Sequence, residues 1–291
     1  MVFPVKSSNY NSNDNSISLM KTLRKDGYKE ELAIEFLFGD YLKRLAFSNF
    51  ALEHIQKNRI CDLASYSGEL LRLLVPAEGV AGDPELIKPI LDNYPALATD
   101  QVLGTALVIK VMQLLGMARL CPPETRISAD AKHYLRGYLF IGYYLAKAFE
   151  PQLSKAGAIE AYQKIRDEFT RTVSFEKAEH VSDFVFSGEG QGAFRNAFIM
   201  TDFTIDESKS GSKVYKCKWA EVMKELNDPD FAYAVACHYD FEAAKMYNPA
   251  FHLTRSGTLI QGQPCCDFLW HDTRIDAALT HPGKEFWDAL P

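Results

Sequence analysis

The sequence predicts an α+β protein: an N-terminal helical bundle followed by a small mixed or antiparallel sheet with packed helices. Two observations carry that reading. Through most of the chain up to Arg171, apolar residues recur at threes and fours, the period of a helix buried along one face. Beyond it the pattern shifts to short β-branched and aromatic runs separated by Gly-rich breaks, ending in a stretch, 251–271, that reads as two strands and a turn. The expected organisation is a loose tail over 1–16, a helical region over 17–125 and an α+β domain over 126–291, without internal repeats.

The 291 residues can bury a sizeable core, as one large domain or two modest ones. The 47% hydrophobic and 24% charged fractions are those of a soluble globular protein. A net charge of −6 weighs against nonspecific binding to nucleic acid or to an anionic membrane. No apolar run is long and uncharged enough to span a bilayer. The N-terminal MVFPVKSSNYNSNDNSISLM has neither a continuous apolar segment nor a cleavage pattern, so no signal peptide is expected. A cytoplasmic, reducing setting follows. With it, Cys61, Cys121, Cys217, Cys237, Cys265 and Cys266 are expected as free thiols.

Each element has its own signal. Over 17–56, Leu19, Leu23, Tyr28, Leu32, Ile34, Phe36, Leu37, Tyr41, Leu42 and Leu45 recur at helical spacing. The segment 61–74 continues as helix and stops at Val75-Pro76. Prolines and glycines over 77–95 read as loops around a short helix at 85–91. The most apolar segment, 100–117, carries Lys110 and reads as a buried helix. Ser128 is the expected N-cap of an aromatic-rich helix over 129–148. Its stripe is ordinarily core, but Tyr138 and Tyr144 are candidates for the apolar wall of a pocket. A further amphipathic helix covers 154–171. Strands are expected at 184–186, 194–205 and 213–218, a short helix at 219–226, and another over 228–240 entered through Pro229.

The last stretch, FHLTRSGTLIQGQPCCDFLWH, is read as strands 251–260 and 264–271. Gly262 between them is available for positive φ. Side chains alternate along a strand, so Cys265, Asp267, Leu269 and His271 share one face and Cys266, Phe268 and Trp270 the other. The second, apolar set is expected to face the core.

No dinucleotide fingerprint, P-loop, HExxH or GxSxG motif occurs. The Gly-rich 188–192 lacks the strand-to-helix setting of a phosphate cradle and reads as a loop. No CxxC pair announces a zinc site, so neither metal nor cofactor is expected. Acid–base candidates are Asp267 foremost, with His238, Asp240 and His271, because an imidazole beside a carboxylate titrates near neutral pH. Cys237 or Cys265 beside such a histidine is a candidate thiolate nucleophile, and a packed core thiol is the alternative. Arg255 is a charge in an apolar strand and needs a partner: a structural carboxylate such as Asp240 or Asp267, or a substrate carboxylate held bidentately.

Lys216-Cys217 before a short helix, Cys237 with Asp240, then Leu253-Thr254-Arg255-Ser256-Gly257-Thr258-Leu259, Gly262 and Cys266-Asp267-Phe268 follow in order. This run resembles the C-terminal signature of the L-2-amino-thiazoline-4-carboxylic acid hydrolase family, where an R-[TS]-G-T-L strand precedes a G-x-x-x-C-D-F strand. The resemblance covers residues 135–272, which makes 126–291 the hydrolase-like domain and leaves 17–125 as an added helical region. It implies a small enzyme that needs no nucleotide cofactor and opens a compact heterocycle with water. Such chemistry requires activated water at a C=N carbon and a cationic anchor for a carboxylate. The resemblance makes Asp267 or His238 the base and Arg255 the anchor, with Thr258 and His271 as further substrate contacts. After C-D-F the family usually has an arginine. Leu269 stands there instead, beside Asp267 and His271, and suits a greasier substrate.

Three functions follow. The first is a hydrolase-like enzyme opening or remodelling a heterocyclic ring. The second is a cofactor-independent cyclase or isomerase, a pericyclase of Diels-Alder type for example, acting on a hydrophobic biosynthetic intermediate. The third is a non-catalytic small-molecule binding protein. All take a small-molecule partner and neither nucleic acid nor membrane. Homodimerisation stays open.

Overall fold

The computed structural model describes residues 28–74, 83–173, 177–186 and 196–290. The tail over 1–16, the stop at Val75-Pro76 and the Gly-rich 188–192 lie outside the described residues. The architecture is α+β, with a two-stranded and a four-stranded sheet, both antiparallel. Contacts divide the chain into two compact units, each discontinuous in sequence. Among the described residues, one holds those of Glu31–Phe169 and Glu221–His238; the other holds 28–30 and those of Thr170–Ala220 and Tyr239–Pro291. Among the described residues no helix is long and apolar enough to cross a membrane.

In the first unit, strands β1 (Ala33–Leu37) and β2 (Arg126–Asp130) pair with Ala33 opposite Asp130 and Leu37 opposite Arg126. The helical spacing over 17–56 does not foresee β1. Ile34 is buried between exposed neighbours, which is strand alternation, and its partner strand lies too far along the chain to leave a local signal. Helix follows at Phe38–Leu42 and Leu45–Asn58. Leu63–Leu74, Pro84–Leu91 and Gln101–Leu114 are helices where periodicity places them.

Ser128 falls within β2. Asp130 caps the aromatic helix Ala131–Lys147 instead, its carboxylate accepting from the N–H groups of Lys132 and His133. Much of the aromatic stripe is core. Tyr134 packs edge-on against Tyr41 and Phe36, with centroids 4.9 and 5.0 Å apart. The next helix, Glu150–Arg171, is broken at Ser154 (φ 63°, ψ 170°). The segment 228–240 does not form one helix. Pro229–Ala236 ends at Cys237, where φ of −121° leaves the helical region, and Asp240 opens the following helix, Asp240–Tyr247.

In the second unit, β3 (Phe198–Asp206), β4 (Lys209–Cys217), β5 (Phe251–Thr254) and β6 (Cys266–Asp272) form the sheet in the order β3–β4–β6–β5. The expected strand at 184–186 is part of a helix, Val181–Phe186; Val181 and Val185, one turn apart, pack with Ala244 and Phe251. β5 is shorter than expected. Beyond Thr254 the N–H groups of Ser256 and Gly257 donate to the Asp267 carboxylate rather than to a strand. Leu259–Gln261 then makes a 3₁₀ turn closed by Gly262 at φ 82°.

Both faces of β6 are covered, not only the Cys266–Phe268–Trp270 face that the alternation assigns to the core. Leu269 and His271 are fully buried and Asp267 nearly so on one face; on the other Cys266 is buried, with Phe268 and Trp270 half-buried. Leu269 is enclosed by Phe203, Trp287 and Leu290. Trp287 arrives on the helix Lys284–Ala289, from a part of the chain that the alternation of β6 does not see. On the opposite face Trp270 stacks on Phe268 and packs against the Val181 cluster.

Gly211 of β4 stands opposite Leu269. A Cβ there would lie 2.4 Å from the Phe268 carbonyl oxygen and 2.6 Å from the Phe203 ring. Gly211→Ala is therefore expected to destabilise by about 1–3 kcal/mol, the range for overpacking a filled core. The change reads as a lower urea midpoint at unchanged slope, and an unmoved midpoint would contradict this packing.

Candidate active site

Asp267 on β6 is the centre of a dense polar cluster. Its Oδ1 accepts the N–H groups of Ser256 and Gly257, each at 3.0 Å. Its Oδ2 accepts the Ser256 hydroxyl and the His281 Nε2–H, the latter at 3.1 Å. Burial alone would raise the pKa of this carboxyl. Hydrogen bonds from His281, Ser256 and Gly257 outweigh it and hold the group below the ordinary carboxylate value. Asp267 is an ionised, fully engaged acceptor.

From His281 the contacts continue inward. Its Nδ1 lies 2.9 Å from Thr254 Oγ1, which lies 2.9 Å from His271 Nε2. The Nδ1 of His271 bonds Asp276 Oδ2 at 2.8 Å, and Lys209 Nζ sits 3.2 Å from the same oxygen. Burial lowers the His271 pKa, although Asp276 pulls the other way. The hydrogen bond from His271 lowers the Asp276 pKa, burial opposing and Lys209 assisting. Ser256 is exposed and the His281 side chain is 19% exposed, while that of His271 is fully buried. Solvent therefore meets the cluster at Ser256 and His281.

The C-terminal segment brings His281 into place. Its ring stacks on Trp287, centroids 5.3 Å apart and planes 19° from parallel. Trp287 Nε1 donates to the Pro282 carbonyl at 3.2 Å. Lys213, opposite Asp267 in the β4–β6 register, is buried and donates to the carbonyls of Trp287 and Leu290. A cation at the end of a helix suits its unsatisfied carbonyls.

The other residues singled out from the sequence have the following surroundings. The Arg255 guanidinium pairs with Asp240 at 2.8 Å and lies 5.0 Å from the ring centroids of both Phe241 and Phe268. Thr258 accepts the Gln261 N–H and caps the 3₁₀ turn. Cys237 and His238 belong to the helical unit, where His238 Nε2 is 3.4 Å from Asp167 Oδ2. Tyr138 accepts from Arg166 at 3.2 Å, with the Arg44 guanidinium over its ring; Tyr144 lies under Lys110. All six cysteines are free thiols. Burial pushes Cys266 up to about 11 and Cys217 up to about 12, and it raises Cys265 as well, so these three are poor sources of thiolate at neutral pH. Among the described residues, no three His, Cys, Asp or Glu side chains group as a metal site would.

Sequence reasoning picked out Asp267 and His271 but not the groups that join them. Thr254 and Ser256 stand in the 253–259 run that carries the resemblance, but no chemical role follows for them from the sequence. His281 and Asp276 lie in a turn-rich segment without periodicity, and only the packing of Trp287 draws them in.

With the geometry of the 251–281 segment in view, one comparison finds a likeness. Residues 138–270 match the L-2-amino-thiazoline-4-carboxylic acid hydrolase family model. Over that segment the chain is similar to the family. No curated protein and no solved structure matches the chain. Thr254, Arg255, Ser256 and Asp267 lie inside the matched hydrolase segment, whereas His271, Asp276 and His281 follow it.

The cluster sets an acid limit on stability. Asp267 and Asp276 of the cluster, and Asp272 beside it through its hydrogen bonds from Arg274, are all held below the ordinary carboxylate value, so in acid the folded state binds fewer protons than the unfolded chain. Their contribution is present above the unfolded value of about 4 and is lost as pH falls through the folded values. His271, also lowered, contributes above its unfolded value of about 6.5 and loses that contribution as pH falls. The urea midpoint should start to decline below about pH 6.5 and fall steeply below about pH 4. A midpoint that rose between pH 7 and pH 4 would contradict these assignments.

Proposed function

We propose that this protein is a small-molecule enzyme that opens or remodels a heterocyclic ring by acid–base chemistry, with Asp267 and His281 as the working pair. The observation that carries the reading is the Asp267–His281 contact at 3.1 Å, solvent-reached on one side and hydrogen-bonded inward to a second imidazole on the other. An imidazole is the side chain suited to giving and taking protons near neutral pH, and a carboxylate on one ring nitrogen orients it.

For a cyclic amidine fused to sulfur, the chemistry balances as follows. Water oxygen bonds to the C=N carbon and loses a proton, and the ring nitrogen gains one. The hydroxyl so formed then becomes a carbonyl and releases its proton as the bond from that carbon to sulfur breaks, and sulfur leaves with the electron pair and takes up that proton. His281 is the proton carrier, Asp267 fixes and stabilises its charged form, and Ser256 presents an exposed hydroxyl held by the same carboxylate.

One observation favours the second reading. The Arg255 side chain is 1% exposed and bound to Asp240, which suits a structural brace better than an anchor for a substrate carboxylate. A cyclase or isomerase working on a less polar compound does not need that anchor. Mass spectrometry of the purified protein with L-2-amino-thiazoline-4-carboxylate separates the two. A product heavier by one water, lost in Asp267→Asn, supports ring opening. No product from that compound, together with an isomer of unchanged mass from an apolar heterocycle, supports the second. Binding without turnover of either would leave a carrier.

A further inference from the structure

We propose that the chain Asp267–His281–Thr254–His271–Asp276 holds one proton more than two neutral imidazoles supply, shared between His281 and His271 through the Thr254 hydroxyl. Its role in turnover rests on the acid–base reading above; the proton count rests on geometry alone.

The groups are joined by four contacts of 3.1, 2.9, 2.9 and 2.8 Å. Each hydrogen bond requires one proton. The ends are ionised carboxylates, which only accept. Between them, a neutral imidazole brings one N–H and the hydroxyl one O–H, three protons for four bonds. No choice of tautomers repairs the shortfall. Suppose His281 donates through Nε2 to Asp267. Its Nδ1 then accepts from Thr254, whose oxygen accepts from His271 Nε2–H. The bare Nδ1 of a neutral His271 is left facing the Asp276 carboxylate, lone pair against lone pair. Changing a tautomer moves this gap along the chain without closing it. One added proton closes it.

Which ring carries the charge depends on the Thr254 hydroxyl. With O–H directed at His271, His281 holds protons on both nitrogens. With O–H directed at His281, His271 does. Burial opposes charge on His271, which favours the arrangement with His281 charged. His281, at the solvent-reached end, is then the acid ready for a ring nitrogen. The surroundings leave the count intact. Lys209 balances Asp276 at 3.2 Å. Lys213, opposite Asp267, is directed at the Trp287 and Leu290 carbonyls. His252 stands opposite His271 in the β5–β6 register. The remaining contact of Thr254 Oγ1, to the Leu269 carbonyl, is longer at 3.4 Å. A hydroxyl committed to that carbonyl would force both rings to be charged.

The test is nitrogen NMR of the full chain labelled at its seven histidines, at pH 7. His271 and His281 are assigned from His271→Gln and His281→Gln spectra. The expected wild-type result is one imidazolium in total across the two rings. Asp276→Asn supplies a donor where the carboxylate only accepts. It should abolish the imidazolium and shift both rings to the neutral Nε2–H form. Two neutral rings or two charged rings in the wild type would overturn the proposal, as would an Asp276→Asn spectrum of a folded protein that keeps the imidazolium. If Asp276→Asn fails to fold, the assigned wild-type spectrum decides by itself. The catalytic reading fails separately: a folded protein with one shared proton, whose turnover survives Asp267→Asn, keeps the count and loses the acid–base role.

Discussion

Asp267→Ala should lower stability by about 3–5 kcal/mol and remove turnover together, the cost range for deleting one partner of a buried, hydrogen-bonded charge pair. The carboxylate takes the N–H groups of Ser256 and Gly257 where β5 has ended, so its loss leaves the turn that leads to the 3₁₀ segment without its acceptor. The same change frees His281 from its orienting bond. Asp267→Asn separates the two effects. It keeps the shape and one accepting oxygen, so the loss of stability should be smaller while turnover still fails. Urea unfolding and the mass assay read both. An Asp267→Ala midpoint indistinguishable from wild type would show that these hydrogen bonds carry little.

Asp240→Ala is expected to cost a similar amount, about 3–5 kcal/mol, because it removes the carboxylate 2.8 Å from an enclosed guanidinium. Arg255 lies over the rings of Phe241 and Phe268, so its charge has little access to water as compensation. The paired replacement Asp240→Leu with Arg255→Met should recover much of the loss, since a buried ion pair exchanged for apolar packing is often neutral. If Arg255 were instead a substrate anchor that Asp240 merely neutralises, Asp240→Ala would leave the unfolding midpoint in place and change KM. The urea curve and the kinetic split thus distinguish brace from anchor.

Residues whose partners are near in sequence or fixed by alternation were readable before the structure. Asp267 and His271 share a face because they lie four apart on one strand, and Asp240 was one of two named partners for Arg255. The rest depends on distant packing. Alternation along β6 separates two faces but does not say that both are covered; Trp287 and Leu290, from the C-terminal segment, enclose Leu269 on the second one. His281 is 14 residues beyond Asp267 with no periodic element between them to align the two. β1 was hidden for the same reason, its partner β2 being supplied from far along the chain. Asp130 took the cap expected of Ser128 because pairing with β1 extends through Ala129 and Asp130.

The measurement that bears most directly on Asp267 and His281 as a catalytic pair is turnover of L-2-amino-thiazoline-4-carboxylate, or of the heterocycle found to react, by wild type and His281→Gln. Both proteins should be shown folded by near-UV circular dichroism. His281→Gln should be slower by about 10²–10⁴-fold, the usual contribution of a positioned acid–base group. A folded His281→Gln enzyme working at the wild-type rate would place the chemistry elsewhere in the molecule.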